Sequence, residues 1–319
     1  MGEESREELL ACLRPDETVA SLLKRGYVER RRTNIPFIDN HLGSLKPGRV
    51  LEVAGASGSG KTELLLQLCV NCILPKSYMD VLYGGSEGVA IFIDLDGRFP
   101  AGRLKRVLAA HLIDAAEIRT GRRWIPPGLA QACLQRFHLI QCSSSFEFLA
   151  VLRLLDRILE PLHAFGTPKL LAIDNISAFY WMDRANHTVS RTPSASGAVI
   201  PLSIHRVQKA VGQQLAAAGQ NFHLAVVVSC TSSVVIKKRQ SANPEEEATV
   251  IWDKNVAFTE PLNKIFSERL LLVPMTKLPD FVRGVRQPGG IVAYWKIPIA
   301  PRIHTFQITD GVPRYGVLE

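Results

Sequence analysis

Residues 55–62 read GASGSGKT and fit the spacing G-x-x-x-x-G-K-[ST]. Side chains of these types at this spacing suit the holding of phosphates. Gly55, Gly58 and Gly60 leave room for backbone N–H groups, that of Ser59 among them, to wrap an oxyanion. A helix starting at Lys61 would add the partial positive charge of its N-terminus. Lys61 would reach the β- and γ-phosphates of a nucleoside triphosphate, and the Thr62 hydroxyl would ligate Mg²⁺. Two acidic stretches are placed to complete such a site. LLAID at 170–174 ends an apolar run in Asp174, which would hold the Mg²⁺ shell opposite Thr62. VAIFIDLDGRFP at 89–100 ends one in Asp94 and Asp96, alternating positions that point the same way along a strand. A carboxylate beside a γ-phosphate orients and activates water. Asp96, which leaves the strand end, is the candidate base; its competing role is to cap the turn that follows.

These side chains need a scaffold, and the alternation of elements supplies one. RVLEVA at 49–54 reads as the strand leading into the phosphate loop, and 61–74 as a helix stopped by Pro75. Further strands are expected at 89–94, 137–142, 170–174 and 224–229. Helices are expected at 101–113, 146–159 and 201–218, the last started by Pro201 and closed by Gly219. Continuous apolar strands alternating with helices predict an α/β fold with a mostly parallel, doubly wound sheet covered on both faces. Its sites would assemble at the C-terminal strand edge. From about residue 267 the pattern changes: RLLLVP, GGIVAYWKI and RIHTFQI read as an antiparallel strand meander with a turn at Asp310-Gly311. Residues 1–44 read as a helical and basic appendage, with short helical patterns at 5–13 and 18–23 and consecutive Arg30, Arg31 and Arg32. This stretch is too short to bury a core of its own, so it is expected to lie on the main domain, 45–319, or on a partner. The polar segments 186–197 and 231–247 are expected to be mobile loops.

With 38 basic and 30 acidic residues the net charge is +8, which is compatible with a polyanionic partner. One basic cluster, Arg98, Arg103, Lys105, Arg106, Arg119, Arg122 and Arg123, fits a solvated helix face as well as a DNA surface. A second, Lys237-Lys238-Arg239, suits phosphate contact or nuclear import. Six cysteines in 319 residues make no disulfide framework. Cys69 and Cys72, one helical turn apart, read as packed thiols of a reducing compartment. The acidic, polar start MGEESREELL reads as no export signal, and Arg6 breaks the myristoylation pattern. No apolar run reaches the ~18 residues of a membrane span. The expectation is a soluble intracellular protein that engages no membrane.

The order of strand, phosphate loop, helix, a strand ending FIDLDGRF, and then LLAID resembles the core of the RecA-type recombinase family, in particular its paralogue branch. The carrying residues are KTELLLQL at 61–68, ILPK at 73–76, FIDLD at 92–96, QCSSS at 141–145 and DNISAFYWMDR at 174–184. The likeness runs over roughly 35–235 and fades in the tail, where TFQITDGV at 305–312 suggests the last family strand. The resemblance implies a RecA-type P-loop ATPase core with ATP and Mg²⁺ as cofactors. As partners it implies another recombinase paralogue, the D member of the set, in a multi-subunit complex, and single-stranded DNA held weakly and without sequence preference. It also implies a place in the nucleus and cytoplasm. Phe179, Tyr180 and Trp181 are expected to pack or to meet a partner.

Two departures bear on mechanism. The family's second acid in this motif is usually glutamate, whereas Asp96 is one methylene shorter. A glutamine that senses the γ-phosphate normally ends the strand before the DNA-facing loop; Thr231 stands at about that position. Nucleotide binding is therefore expected to be retained, with hydrolysis and its coupling to DNA weakened. The leading expectation is an accessory subunit of homologous recombination repair that assists filament assembly. The alternatives are an autonomous DNA-dependent ATPase forming its own filament and a P-loop small-molecule kinase.

Overall fold

Strands made of unbroken Val, Ile, Leu and Ala must be covered on both faces, and the computed structural model shows how. It describes residues 32–189, 204–232, 234–238, 248–252, 260–277, 290–295, 303–309 and 312–317. In chain order the strands are β1 (Val50–Gly55), β2 (Ser77–Tyr78), β3 (Val81–Leu82), β4 (Val89–Asp94), β5 (Phe137–Gln141), β6 (Pro168–Asp174), β7 (Ala225–Thr231), β8 (Val234–Lys238), β9 (Ala248–Trp252), β10 (Glu268–Pro274), β11 (Gly290–Trp295), β12 (Ile303–Thr309) and β13 (Val312–Val317). The helices are α1 (Pro36–Leu42), α2 (Lys61–Ile73), α3 (Ala101–Thr120), α4 (Leu129–Leu134), α5 (Ser145–Arg153), α6 (Leu155–Leu162), α7 (Tyr180–Val189), α8 (Ile204–Asn221) and α9 (Glu260–Asn263).

The main sheet runs β13-β12-β11-β10-β1-β7-β6-β4-β5. From β10 to β5 every neighbour is parallel, and β10 to β13 pair antiparallel. This is the expected doubly wound sheet with an antiparallel extension. The first strand of the tail, β10, nevertheless joins β1 in parallel, and Val312–Val317 adds a strand whose Pro313 and Gly316 hid it from pattern reading. Alternation sorts the core. Ala90 and Phe92 of β4 join a cluster with α2 and α3, while Ile91 and Ile93 join one with α5, α6 and α8. Phe92 packs at 5.0 Å, ring to ring, against Phe99.

Several boundaries differ from expectation. The helix expected over 146–159 is two helices that meet at Leu154. The buried positions Phe148, Leu152, Leu155, Leu159 and Leu162 keep one period through the break, so periodicity could not mark it. The basic helix α3 runs past Ile113 to Thr120. Val234, Val235 and Ile236, expected in a loop, form β8 and pair antiparallel with β9, Val234 opposite Trp252; their β-branched run was masked by charged neighbours. Of the segment 186–197, residues 186–189 continue α7, and the rest, like Asp310-Gly311, lies outside the described residues. Residues 33–44 share the main core: Ile35, Phe37 and Ile38 are buried there, and Phe37 stacks at 5.3 Å on Phe306. The boundary expected after residue 44 therefore marks no edge of the core; residues 1–31 lie outside the described residues.

Gly219 does not close α8, which continues to Asn221. A Cβ at Gly219 would sit 2.8 Å from the Gly48 Cα, so the residue is a spacer where the helix crosses the turn before β1. In an open helix interior Ala exceeds Gly by about 0.5–1 kcal/mol. Here Gly219→Ala should reverse that sign and destabilise by about 1–2 kcal/mol, because backbone must move. Urea denaturation reads the sign directly, and a stabilised variant would refute the spacer role.

Buried polarity links β1 to β10. Glu52, opposite Arg269 in the register, is 1 % exposed. Its Oε2 lies 3.1 Å from Arg269 Nε, and its Oε1 accepts from the Cys230 thiol. Arg269 Nη2 also donates to the Asn263 backbone carbonyl and side chain, and its guanidinium lies 5.2 Å from the Phe266 ring centre.

Candidate nucleotide site

The phosphate loop hangs between the end of β1 and the start of α2. Its glycines are forced by geometry. A Cβ on Gly55 would fall 2.4 Å from Ser59 Oγ and 2.5 Å from the Leu272 carbonyl oxygen. Gly60, at φ 84°, adopts a left-handed conformation that side chains resist. Lys61 is buried and donates from Nζ to the carbonyls of Gly55 and Ala56 at 2.9 and 2.8 Å, folding over the loop it follows.

Thr62 and Asp174, 112 residues apart, meet because β1 and β6 flank β7. Thr62 Oγ1 donates to Asp174 Oδ2 at 2.6 Å, and Ser229 Oγ of β7 donates to Asp174 Oδ1. A hydroxyl and a carboxylate in contact are a hard-oxygen pair of the kind Mg²⁺ takes, with waters and phosphates filling its remaining positions. Among the described residues no group of three or more His, Cys, Asp or Glu is arranged to hold a metal by itself.

The two acids of 94–96 divide the work. β4 ends at Asp94, so the expected common direction of Asp94 and Asp96 does not hold. Asp94 is buried and caps the turn: Oδ1 accepts from the Asp96 and Gly97 amides, and Oδ2 from the Phe99 amide and Gln141 Nε2. The turn is thus satisfied without Asp96, which lines one cleft with Gly58, Ser59, Gly60, Lys61, Thr62 and Asp174. Partial burial, then the charges of Asp174 and Asp94, push the Asp96 carboxyl above its usual range, with Arg98 and a hydrogen bond from Asn175 opposing them. The direction suits a proton acceptor, whose strength grows with its pKa.

Thr231 ends β7 opposite Gly55 and lines the same cleft. Sequence reasoning missed three further residues there. Asn175 lines the cleft next to Asp174, Ser229 sits behind it, and Arg103 reaches in while paired with Glu63 at 2.8 Å. None belongs to a spaced motif; adjacency to Asp174 was the one available signal, and it pointed only to Asn175.

Other candidates fall elsewhere. In the 98–123 cluster, Arg103 pairs with Glu63 at the cleft, while Arg119 and Arg123 contact the Asp80 carbonyl and Glu117, which favours the solvated-face reading for those two. Lys237 and Lys238 lie on β8, and Arg239 lies outside the described residues. Cys69 and Cys72 are buried in the core, and burial, with Cys72 beside it, pushes the Cys69 thiol well above its ordinary value. Of the aromatic run, Phe179 is core, while Trp181 is 67 % exposed with the Arg184 guanidinium 5.6 Å from its ring centre. No helix among the described residues is long and apolar enough to cross a membrane.

Strand, phosphate loop and helix, with acids at the ends of neighbouring parallel strands, are the arrangement of a P-loop α/β domain. A family model described as Rad51 matches residues 31–122, in keeping with the resemblance that the motifs carry. The DNA repair protein XRCC2 homolog of Arabidopsis thaliana is 32% identical over 205 residues, 58% of this chain and 55% of that protein. The DNA repair protein XRCC2 of Mus musculus is 36% identical over 141 residues, 44% of each chain. The DNA repair and recombination protein RadA of Methanoculleus marisnigri is 28% identical over 159 residues, 49% of this chain and 44% of that one. The chain spans about half the length of the curated relatives it matches.

Proposed function

We propose that the chain is an ATP- and Mg²⁺-binding recombinase paralogue that serves homologous recombination repair as an accessory subunit, assisting filament assembly on single-stranded DNA. The observation that carries this reading is the contact of Thr62 with Asp174 beside a complete phosphate loop. The amides of 55–60 and Lys61 would hold the phosphates, and Thr62 and Asp174 the Mg²⁺, which supplies neutralisation of phosphate charge. Asp96 would orient water. The names of the XRCC2 and RadA relatives support the repair role. The motif DNISAFYWMDR supports the paralogue branch, and with it a partner paralogue of the D type and a nuclear place of action.

Lys61→Ala tests the site. Hydrogen bonds to charged groups contribute about 1.5–3 kcal/mol, so affinity for MgATP should fall about 10- to 100-fold in equilibrium titration. Unchanged affinity would remove the assignment. DNA contact is tested separately. Replacing Lys237, Lys238 and Arg239 by Ala should reduce the slope of log affinity against log salt by up to about 2, at about 0.7 per phosphate contact on single strands. A slope that does not move assigns the cluster to another role, such as import.

A further inference from the structure

The chain enters the core beside the β2–β3 hairpin. Asn34 Nδ2 donates to the Gly84 carbonyl at 2.5 Å, two residues past the end of β3. The tip of that hairpin lies against the last turn of α3, where Arg119 Nε donates to the Asp80 carbonyl at 3.4 Å. Around this contact stand three large apolar side chains: Met79 is 63 % exposed, Leu82 80 % and Ile118 88 %. One apolar side chain on a surface needs no explanation, but three at one corner do. Met79 stands at the hairpin tip with φ 48°, a left-handed conformation uncommon for a residue other than Gly, Asn or Asp. Leu104, Leu108 and Ala115 lie on the core in one row of α3, and Ile118 continues that row at helical spacing beyond the core's cover.

We infer that this corner is the docking site of the chain's own residues 5–13, which lie outside the described residues. At helical spacing Leu9, Leu10, Cys12 and Leu13 share one broad side. Residues 3–8 hold four glutamates against one arginine, and the corner is rimmed by the exposed Arg119, Arg122 and Arg123, so charge favours the pairing. Eighteen residues separate Leu13 from Arg32, where the described chain begins close to the hairpin. At about 3.3 Å each they reach about 60 Å, so length does not limit the return. Size selects an occupant on the same chain. Three side chains fall well short of the ~800 Å² that each partner of a stable free complex buries. A tethered segment needs less, because its linker fixes a high effective concentration. The inference does not depend on what the phosphate-loop cleft binds.

The test is hydrogen exchange of the 5–13 amides in the full chain, compared with a synthetic peptide of residues 1–16. Docking should slow exchange at least about tenfold, as for a segment closed about nine-tenths of the time, and equally at high and low protein concentration. Met79→Asp combined with Ile118→Asp puts charge on the exposed corner without touching the core, and should bring the rates to within about threefold of the peptide's. Disulfide formation under mild oxidation gives a second measurement. In Leu82→Cys the new thiol should join Cys12 at least about tenfold faster than in Phe146→Cys, whose site on α5 lies across the sheet. The free cysteines among the described residues are buried. Peptide-like exchange in the wild type, protection that survives the double variant, or equal disulfide rates would overturn the inference. Protection that falls on dilution would assign the corner to a second copy of the chain, and would overturn it as well.

Discussion

Arg269→Leu should lower the unfolding free energy by about 3–5 kcal/mol, the usual cost of removing one partner of a buried ion pair. Glu52 is buried on β1, 3.1 Å from the lost guanidinium, and among the described residues would be left with the Cys230 thiol as its side-chain donor. The two hydrogen bonds to Asn263 and the contact with the Phe266 ring would go as well. If stranded charge is the main cause, adding Glu52→Gln should recover more than half of the loss. Urea denaturation of the single and double variants measures both quantities. A single-variant loss below about 1 kcal/mol, or a double variant no better than the single, would show that the pair contributes little to holding β10 on β1.

Single-turnover hydrolysis of bound ATP should be slow, with or without single-stranded DNA. The candidate base is Asp96, and the turn that carries it is held by Asp94 through three backbone amides. Its carboxylate stands one carbon–carbon bond short of the glutamate at the resembling position. Misplacement by about 1 Å costs on the order of a hundredfold in rate, or roughly 2.7 kcal/mol of barrier. The raised pKa of Asp96 improves it as a base but does not lengthen its reach. Asp96→Glu should therefore accelerate the step by up to about a hundredfold. Because the shortfall is covalent, DNA should not repair it. A tenfold or larger increase in the wild-type rate on adding DNA would refute this reading and favour an autonomous DNA-dependent ATPase.

The amino-acid sequence by itself determined the phosphate loop, the apolar strands and their alternation with helices. These are local properties: the loop acts within eight consecutive residues, and an uninterrupted Val/Ile/Leu run requires cover on both faces wherever it lies. It also singled out Asp174 and Asp96, since each ends such a run. The tertiary structure alone decided how those acids are used. Asp94 and Asp96 are equivalent by spacing. They diverge because β4 stops at Asp94, where Gln141 of β5 and three amides of the turn occupy its oxygens. Periodicity reports which face a side chain takes, not which residue of a distant strand stands opposite. Glu52 with Arg269, Thr62 with Asp174, and Asn175 with Thr231 are therefore products of strand order. Gly219 carries the same lesson: as a letter it reads as a helix stop, but its missing side chain is explained only by Gly48, brought against it by the fold.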